Sequence, residues 1–498
     1  MPRASIPEQP VPPDQVVASL EAARASDVDW RGGRVFSLVY HAGDAHEELV
    51  RRAHAVYASG NLLNPMAFKG LRRLEAEVVE MAASLLHGPD TSVGAVTSGG
   101  TESILVAVAA LRDRARRERP WVRSPELVVP RTVHPAFDKA AHYFGVKLRK
   151  VEVGDDLRAD LRAVARRIGR STIGLVGSAP QYAHGVIDPI AGLGELAARH
   201  RLPLHVDACL GGFVLPWIER LGRPIPTWDF RVPAVTSISA DLHKFGYGGK
   251  GASVLLWRSM ELMRHQFFIA PDFPGGIYAS PTLLGTRPGG PIAAAWASLR
   301  ALGAEGYLEL TRAALAAADT IRDGIRAIPG LGLLGAPDST IVAFAAAPGG
   351  PDIYAVADRL EARGWAVDRQ QRPASLHLTC TANHLAIAAD YLADLRAAAA
   401  EVASDPSLTR SGSAPMYGMM ARVPLAGPLG GPARTLLRSS VRKVLETMYA
   451  PGAILPDLSD TAATGTVGRL LDRHGPRISK ALDTASRLRS NLGKRLRP

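Results

Sequence analysis

The chain is predicted to be α/β, a mainly parallel sheet covered on both faces by helices, and three observations lead there. Apolar, β-rich runs alternate with helical patterns between residues 61 and 315, the order that a sheet with crossover helices requires. Thr97, Asp207 and Ser239 close three of those runs, and ligands of such sheets bind outside the carboxyl ends of strands. A second, smaller α/β pattern follows over residues 316–450.

In chain order, residues 1–60 read as an N-terminal arm. Its start carries Pro2, Pro7, Pro10, Pro12 and Pro13, one helix is expected around Val16–Ala25, and Asp27-Val-Asp-Trp-Arg-Gly-Gly-Arg-Val35 follows. Residues 61–315 form the large domain. Strands are expected at Val93–Thr97, Leu127–Val129, Ile173–Gly177, Leu204–Asp207, Val235–Ser239 and Ser253–Trp257, with helices such as Thr101–Arg117 and Ala191–His200 between them. Residues 316–450 are the smaller domain and 451–498 a basic tail.

Composition narrows the function classes. At 498 residues, 47% hydrophobic and 21% charged, the chain is globular and large enough for more than one unit. No apolar run approaches the roughly 18 residues of a membrane-spanning helix, and the Pro-rich start lacks the apolar stretch of a signal peptide. Cys209 and Cys380 are the only cysteines, too few for a disulfide framework, so a cytoplasmic location is expected. The net charge of +12 is concentrated at the end: nine Arg or Lys stand against two Asp from Thr461 onward, more than half of the excess. No nucleic-acid motif accompanies it, and a nucleic-acid partner is not expected. Neither is a metal.

The stretch Ser237-Ile-Ser-Ala-Asp-Leu-His-Lys-Phe-Gly-Tyr-Gly-Gly-Lys-Gly251 places Lys244 in a Gly-rich loop just past a strand. Asp207, in His205-Val-Asp-Ala-Cys-Leu-Gly-Gly212, closes another. A lysine that forms a Schiff base with an aldehyde and an aspartate for a pyridinium nitrogen are what pyridoxal phosphate needs to act as an electron sink. A surface lysine would have little reason to sit among Asp241, His243 and so many glycines. In Thr97-Ser-Gly-Gly-Thr-Glu-Ser103, Gly100 and Thr101 open a helix whose bare N–H groups suit the cofactor phosphate. His243 is compatible both with simple packing and with contact to that phosphate. His134, in Arg131-Thr-Val-His-Pro-Ala-Phe-Asp-Lys139 after another strand, is the imidazole expected to stack on the pyridine and to serve proton transfer.

At this point the chain resembles the sphingosine-1-phosphate lyases, a fold-type-I (aspartate aminotransferase-like) pyridoxal-phosphate family related to the group II amino-acid decarboxylases. The resemblance covers about residues 15–450. It rests on Asp27–Arg31 with Arg34-Val-Phe-Ser-Leu-Val-Tyr40, Thr97–Ser103, His184-Gly-Val-Ile-Asp-Pro-Ile190, Ser237–Gly251 and Gly275-Gly-Ile-Tyr-Ala-Ser-Pro-Thr-Leu-Leu-Gly-Thr-Arg-Pro-Gly-Gly290. The Arg34–Tyr40 and Gly275–Gly290 blocks resemble the lyases far more than the decarboxylases.

The resemblance implies a homodimer with its active site at the interface and retro-aldol cleavage of a phosphorylated long-chain base to a long-chain aldehyde and phosphoethanolamine. It assigns Tyr40, Lys250, Asn64 and Thr286 to the substrate phosphate, some of them across the dimer interface. Thr286 is also assigned to the cofactor, and Tyr182 is a weaker candidate for substrate or proton-transfer contact, with aromatic packing equally open. Where relatives read Asn-Pro-Leu-His-Pro-Asp-Val-Phe-Pro-Gly, this chain has Asn61-Leu-Leu-Asn-Pro-Met-Ala-Phe-Lys-Gly70, so Asn64 stands in place of a histidine and Met66 in place of an aspartate. Gly248-Gly249 replaces an Ala-Pro of many relatives, from which a looser loop is expected. In the tail, apolar residues from Ile478 to Leu496 recur at helical spacing among Arg and Lys, a composition suited to an anionic membrane surface. The rival readings are a group II decarboxylase, which makes no aldehyde, and a cofactor-binding relative without turnover.

Overall fold

The structure, a computed structural model, describes residues 5–422 and 430–450. Seven strands form the large sheet: β1 (Val93–Thr97), β2 (Glu126–Pro130), β3 (Lys147–Val151), β4 (Thr172–Ser178), β5 (Leu204–Asp207), β6 (Val235–Ala240) and β7 (Ser253–Trp257), in the order β1-β7-β6-β5-β4-β2-β3. Only β7 runs against its neighbours. Thr97, Asp207 and Ala240 therefore end on one edge of the sheet. The six strands expected from the apolar runs are all present. Strand β3 is the addition: its Lys147-Leu-Arg-Lys-Val151 sequence is polar because it is an edge strand with one neighbour. A hairpin of β8 (Phe268–Ala270) and β9 (Tyr278–Ser280) stands apart. The second sheet is antiparallel, with β10 (Leu331–Leu333), β11 (Ile341–Ala346), β12 (Asp368–Gln371) and β13 (Ala374–Thr379) in the order β10-β11-β13-β12.

Before β1 come α1 (Pro13–Arg24), α2 (Asp44–Val56) and α3 (Lys69–Leu85). Helices α4 (Gly100–Glu118), α5 (Ala136–Phe144), α6 (Leu161–Arg167), α7 (Ile190–His200) and α8 (Leu215–Arg220) connect the strands of the large sheet. The short α9 (Met260–Met263) follows β7, and α10 (Gly289–Arg326) leads into the second sheet, beside which lie α11 (Ile353–Glu361), α12 (Ala388–Ser404) and α13 (Ala414–Arg422); α14 (Gly430–Met448) comes last. In α3 the buried Leu71, Leu74, Val78 and Ala82 fall three or four apart, one apolar stripe. Helix α10 runs 38 residues but breaks at Gly303, whose φ is +55°.

The first core, that of the large sheet and its helices, comprises three apolar clusters, one holding Val206, Ile238, Val254 and Trp228, the others around Val129 and around Leu255. The second core gathers Phe344, Leu376, Trp365 and Tyr391. Phe36 belongs to that second core, stacked on His384 at 4.4 Å, and Val35 bridges to Ala366. The N-terminal segment is thus built into the fold from Val35 onward, whereas α1 buries no residue. No described helix is long and apolar enough to cross a membrane. The tail at 451–498 lies outside the described residues.

Candidate active site

Lys244 follows β6 in a tight series of turns. Its ammonium lies 2.8 Å from Asp241 Oδ2, three residues back, and Asp241 is 2% exposed. Burial opposes a charge on Lys244, but Asp241, then Cys209 and Tyr40, outweigh it and raise the amine well above its ordinary pKa. Burial likewise opposes the Asp241 carboxylate, and Lys244 and His243 together pull it below the usual aspartate value. The following loop is held by α10, whose Ser298 and Tyr307 hydroxyls donate to Gly246 O at 2.7 and 2.8 Å. The loop is not slack. A Cβ on Gly248 would stand 3.2 Å from Ala295 Cα, so the two glycines let α10 close against it.

Asp207 ends β5, 6% exposed. Its Oδ1 accepts from Cys209 N–H at 3.1 Å and from the Ser239 hydroxyl at 3.3 Å, which fixes the carboxylate at the sheet edge. Cys209 is buried between Asp207, Asp241 and Lys244; burial, then the two carboxylates, push its thiol far above the ordinary range. Gly100 begins α4 opposite this cluster. A Cβ there would fall 2.6 Å from Cys209 Sγ and 2.7 Å from Asp241 Oδ1, so only glycine fits. Helix α4 has no side-chain N-cap, and Thr101 in its first turn is exposed. Beneath it, the hydroxyls of Thr97, Ser103 and Ser253 are linked at 2.7 and 3.0 Å, tying α4 to β1 and β7.

His243 is half-buried, and its Nδ1 accepts from Ala252 N–H at 3.3 Å. Burial first, with Lys250 and Lys244 also acting against its charge, leaves it below the usual imidazole pKa despite Asp241. His134 is exposed past β2, its Nδ1 accepting from Ala136 N–H at 3.2 Å. Lys250 donates to Leu38 O at 2.5 Å and His243 O at 3.2 Å, and its ammonium lies 5.3 Å from the centre of the Tyr40 ring. Burial, then the Lys244 charge, bring Lys250 down to about 8. Tyr40 packs edge-on to Phe245, and burial, with Asp241 and Asp368 overcoming Lys244, pushes its phenol up to about 12. The Tyr182 hydroxyl donates to Asp368 Oδ2 at 2.7 Å.

Asn64 and Thr286 sit elsewhere on the single chain. Both are exposed, on segments paired through Leu62 N–H to Arg287 O at 2.9 Å and Gly289 N–H to Gly60 O at 2.7 Å. Asn64 Oδ1 accepts from Met66 N–H at 3.0 Å. The buried Arg287–Glu75 ion pair anchors this patch, and Glu102 Oε1 accepts from Leu283 and Leu284 N–H at 2.9 and 3.2 Å. Among the described residues no hydrogen bond or ion pair joins Asn64 or Thr286 to Lys244. Three members of the Lys244 neighbourhood were not singled out by sequence. Asp241 carried a signal, its place three residues before the lysine; Cys209 and Asp368 carried none.

The donor set fits pyridoxal phosphate. An amine, a fixed carboxylate and an uncapped helix start converge on one sheet edge, beside a cradle that a Cβ on Gly100 would fill. Within it, Asp241 Oδ1 has no hydrogen-bond partner among the described residues.

Comparison with known proteins agrees. The pyridoxal-dependent decarboxylase conserved domain matches residues 61–347. The chain is 43% identical over 422 residues to the sphingosine-1-phosphate lyase of Oryza sativa, covering 83% of this chain and 78% of that protein. The solved structure of a sphingosine-1-phosphate lyase from Burkholderia pseudomallei superposes with a TM-score of 0.81 at 37% identity, covering 90% of this chain and 98% of that one. A probable L-aspartate decarboxylase of Pyrococcus furiosus is 33% identical over 380 residues, covering 76% of this chain and 99% of that protein.

Proposed function

The chain belongs to the sphingosine-1-phosphate lyase family of fold-type-I pyridoxal-phosphate enzymes, and from that premise we propose that it cleaves a phosphorylated long-chain base into a long-chain aldehyde and phosphoethanolamine. One observation carries the choice of substrate: a second ammonium, Lys250, is held beside Lys244 and over Tyr40. A phosphate ester is the substrate group that such a cation and a phenol would hold.

Bound pyridoxal phosphate supplies an electron sink for the bond that breaks. Lys244 is the amine that anchors it, Asp207 holds a negative charge for its ring nitrogen, Gly100 and Thr101 receive its phosphate at the start of α4, and His134 covers its face. His243, whose Nδ1 is engaged by Ala252 N–H, braces the loop behind Lys244. By fixing the phosphate end of the substrate, Lys250 and Tyr40 decide which bond of the amine is aligned for cleavage, and so favour carbon–carbon lysis over loss of a carboxylate.

The active protein in this reading is a homodimer. Asn64 and Thr286 share an exposed patch with the exposed apolar Leu63, Met66, Leu283 and Leu284, a surface of the kind that partners cover. On a second copy this patch would bring Thr286 to the cofactor and substrate phosphates and Asn64 to the substrate phosphate. Cys209 and Cys380 are free and buried, which suits a cytoplasmic enzyme, and the basic tail adds contact with anionic membranes. The test is incubation of the holoenzyme with sphingosine phosphate, unphosphorylated sphingosine and a panel of amino acids. Aldehyde from the phosphorylated base supports the reading; carbon dioxide from an amino acid without aldehyde identifies a decarboxylase instead.

A further inference from the structure

Tyr182 lies past β4 of the large sheet and Asp368 opens β12 of the second, yet the phenol and carboxylate meet at 2.7 Å. The contact is backed from both sides. His377 of β13, paired with Asp368 across the ladder, is 0% exposed and stacks on the Tyr182 ring at 4.2 Å. Its Nε2 lies 2.9 Å from Thr379 Oγ1, and Gln370 of the same strand as Asp368 donates to Ala183 O at 2.7 Å. The charged neighbour Arg369 turns away to Asp358 and Glu361. Tyr40, whose ring centre is 5.3 Å from the Lys250 ammonium, interacts electrostatically with Asp368, Tyr182 and Lys244, so the pair lies near the Lys244 amine. The titratable groups around it are Tyr40, His377 and, behind His377, His184.

A phenol has one proton to donate. With that proton engaged by Asp368, the Tyr182 oxygen has only lone pairs left to offer a substrate. Burial, then the Asp368 charge, push the phenol far above its ordinary pKa, so a standing phenolate is not populated near neutral pH. The oxygen can take a proton only while passing its own on.

We propose that Asp368 is a positioning residue that makes the Tyr182 oxygen the acceptor of the proton leaving the substrate C3 hydroxyl; this rests on the lyase reading above. As the C2–C3 bond breaks, C2 keeps its electron pair and the O–H pair becomes the second bond of the aldehyde carbonyl. The hydroxyl proton passes to Tyr182 and the phenol proton to Asp368 Oδ2, neutralising the carboxylate. C2 then takes its proton from the Tyr182 hydroxyl to give the amine product, and Asp368 returns its own to the phenolate oxygen, restoring the starting pair.

The experiment uses full-length holoenzyme carrying Asp368→Asn, Asp368→Glu or Tyr182→Phe. Three quantities are read: aldehyde release against pH, the cofactor absorption spectrum, and binding of a phosphorylated base that lacks the C3 hydroxyl. Asp368→Asn and Tyr182→Phe should each lower kcat by about 10²-fold or more, with KM and analogue binding within about threefold of wild type. Asp368→Glu should recover at least about tenfold over the amide. A wild-type kcat in Asp368→Asn overturns the inference. So does a joint loss of kcat and analogue binding that Asp368→Glu does not rescue, because that describes a structural clamp. If Asp368→Asn fails to hold the cofactor, Tyr182→Phe decides, and a wild-type kcat there overturns it. Absence of aldehyde from the wild-type enzyme is a different failure: it removes the lyase reading, and with it the hydroxyl that Asp368 is assigned to serve.

Discussion

Lys244 Nζ and Asp241 Oδ2 face each other at 2.8 Å within one loop, so the amine is held charged by a carboxylate of its own segment. The pair explains why a buried lysine here does not simply lose its proton. Asp241 sets the charge on the amine, and Asp207, on the neighbouring strand, is the carboxylate proposed for the cofactor ring.

Lys244→Ala should abolish the visible absorption of lysine-bound cofactor and all turnover. Asp207→Ala should keep part of the cofactor and lose most activity, since nothing then holds the ring nitrogen protonated. Cleavage at wild-type rate by Lys244→Ala would remove the lysine from the chemistry.

Asp241→Asn leaves burial to act on Lys244 with its main opposing charge gone, and burial lowers the pKa of an ammonium. Labelling of the apoenzyme by pyridoxal phosphate, trapped with borohydride, should then have a pH midpoint lower by at least about one unit. An unchanged midpoint would show that the carboxylate does not set the amine's charge.

Lys250 has a folded pKa lowered to about 8. It is therefore charged below that pH and loses its proton above it, so KM for a phosphorylated base should climb above pH 8, approaching about tenfold per unit. An unphosphorylated base should show no such climb, and Lys250→Arg should abolish it because a guanidinium keeps its proton. Lys250→Ala should raise KM by about 10- to 100-fold, the effect of a lost charged hydrogen bond worth roughly 1.5–3 kcal/mol.

Asn64 can donate a neutral hydrogen bond, worth roughly 0.5–1.5 kcal/mol against roughly 1.5–3 for a charged one. Asn64→His should lower KM for the phosphorylated base by about threefold to tenfold. If it instead harms activity while unphosphorylated bases turn over well, the headgroup has changed.

Cosedimentation with phosphatidylserine vesicles should be stronger for the full chain than for one ending at Asp460. The difference should shrink with salt, since each basic residue at the surface contributes about 1 kcal/mol of screened attraction. Equal binding by both forms would take the tail out of the account and leave the lyase core untouched.

The amino-acid sequence by itself determined the central sheet and most of the Lys244 cluster. Strands such as β4, buried along its whole length, run without a polar side chain from Ile173 to Gly177, and Gly100, Asp207 and Lys244 lie at or just beyond strand ends, where periodicity stops and chemistry begins. Strand β3 escaped because an edge strand carries the polar pattern of a surface, and α2 because it buries no residue completely. Tertiary structure alone decided that Cys209 and Gly100 meet, that α10 closes on Gly248, and that Asp368 reaches Tyr182 from another sheet. It also set Asn64 and Thr286 on a patch of their own. Such contacts depend on how whole elements pack, and no local propensity or spacing encodes a meeting between side chains 186 residues apart.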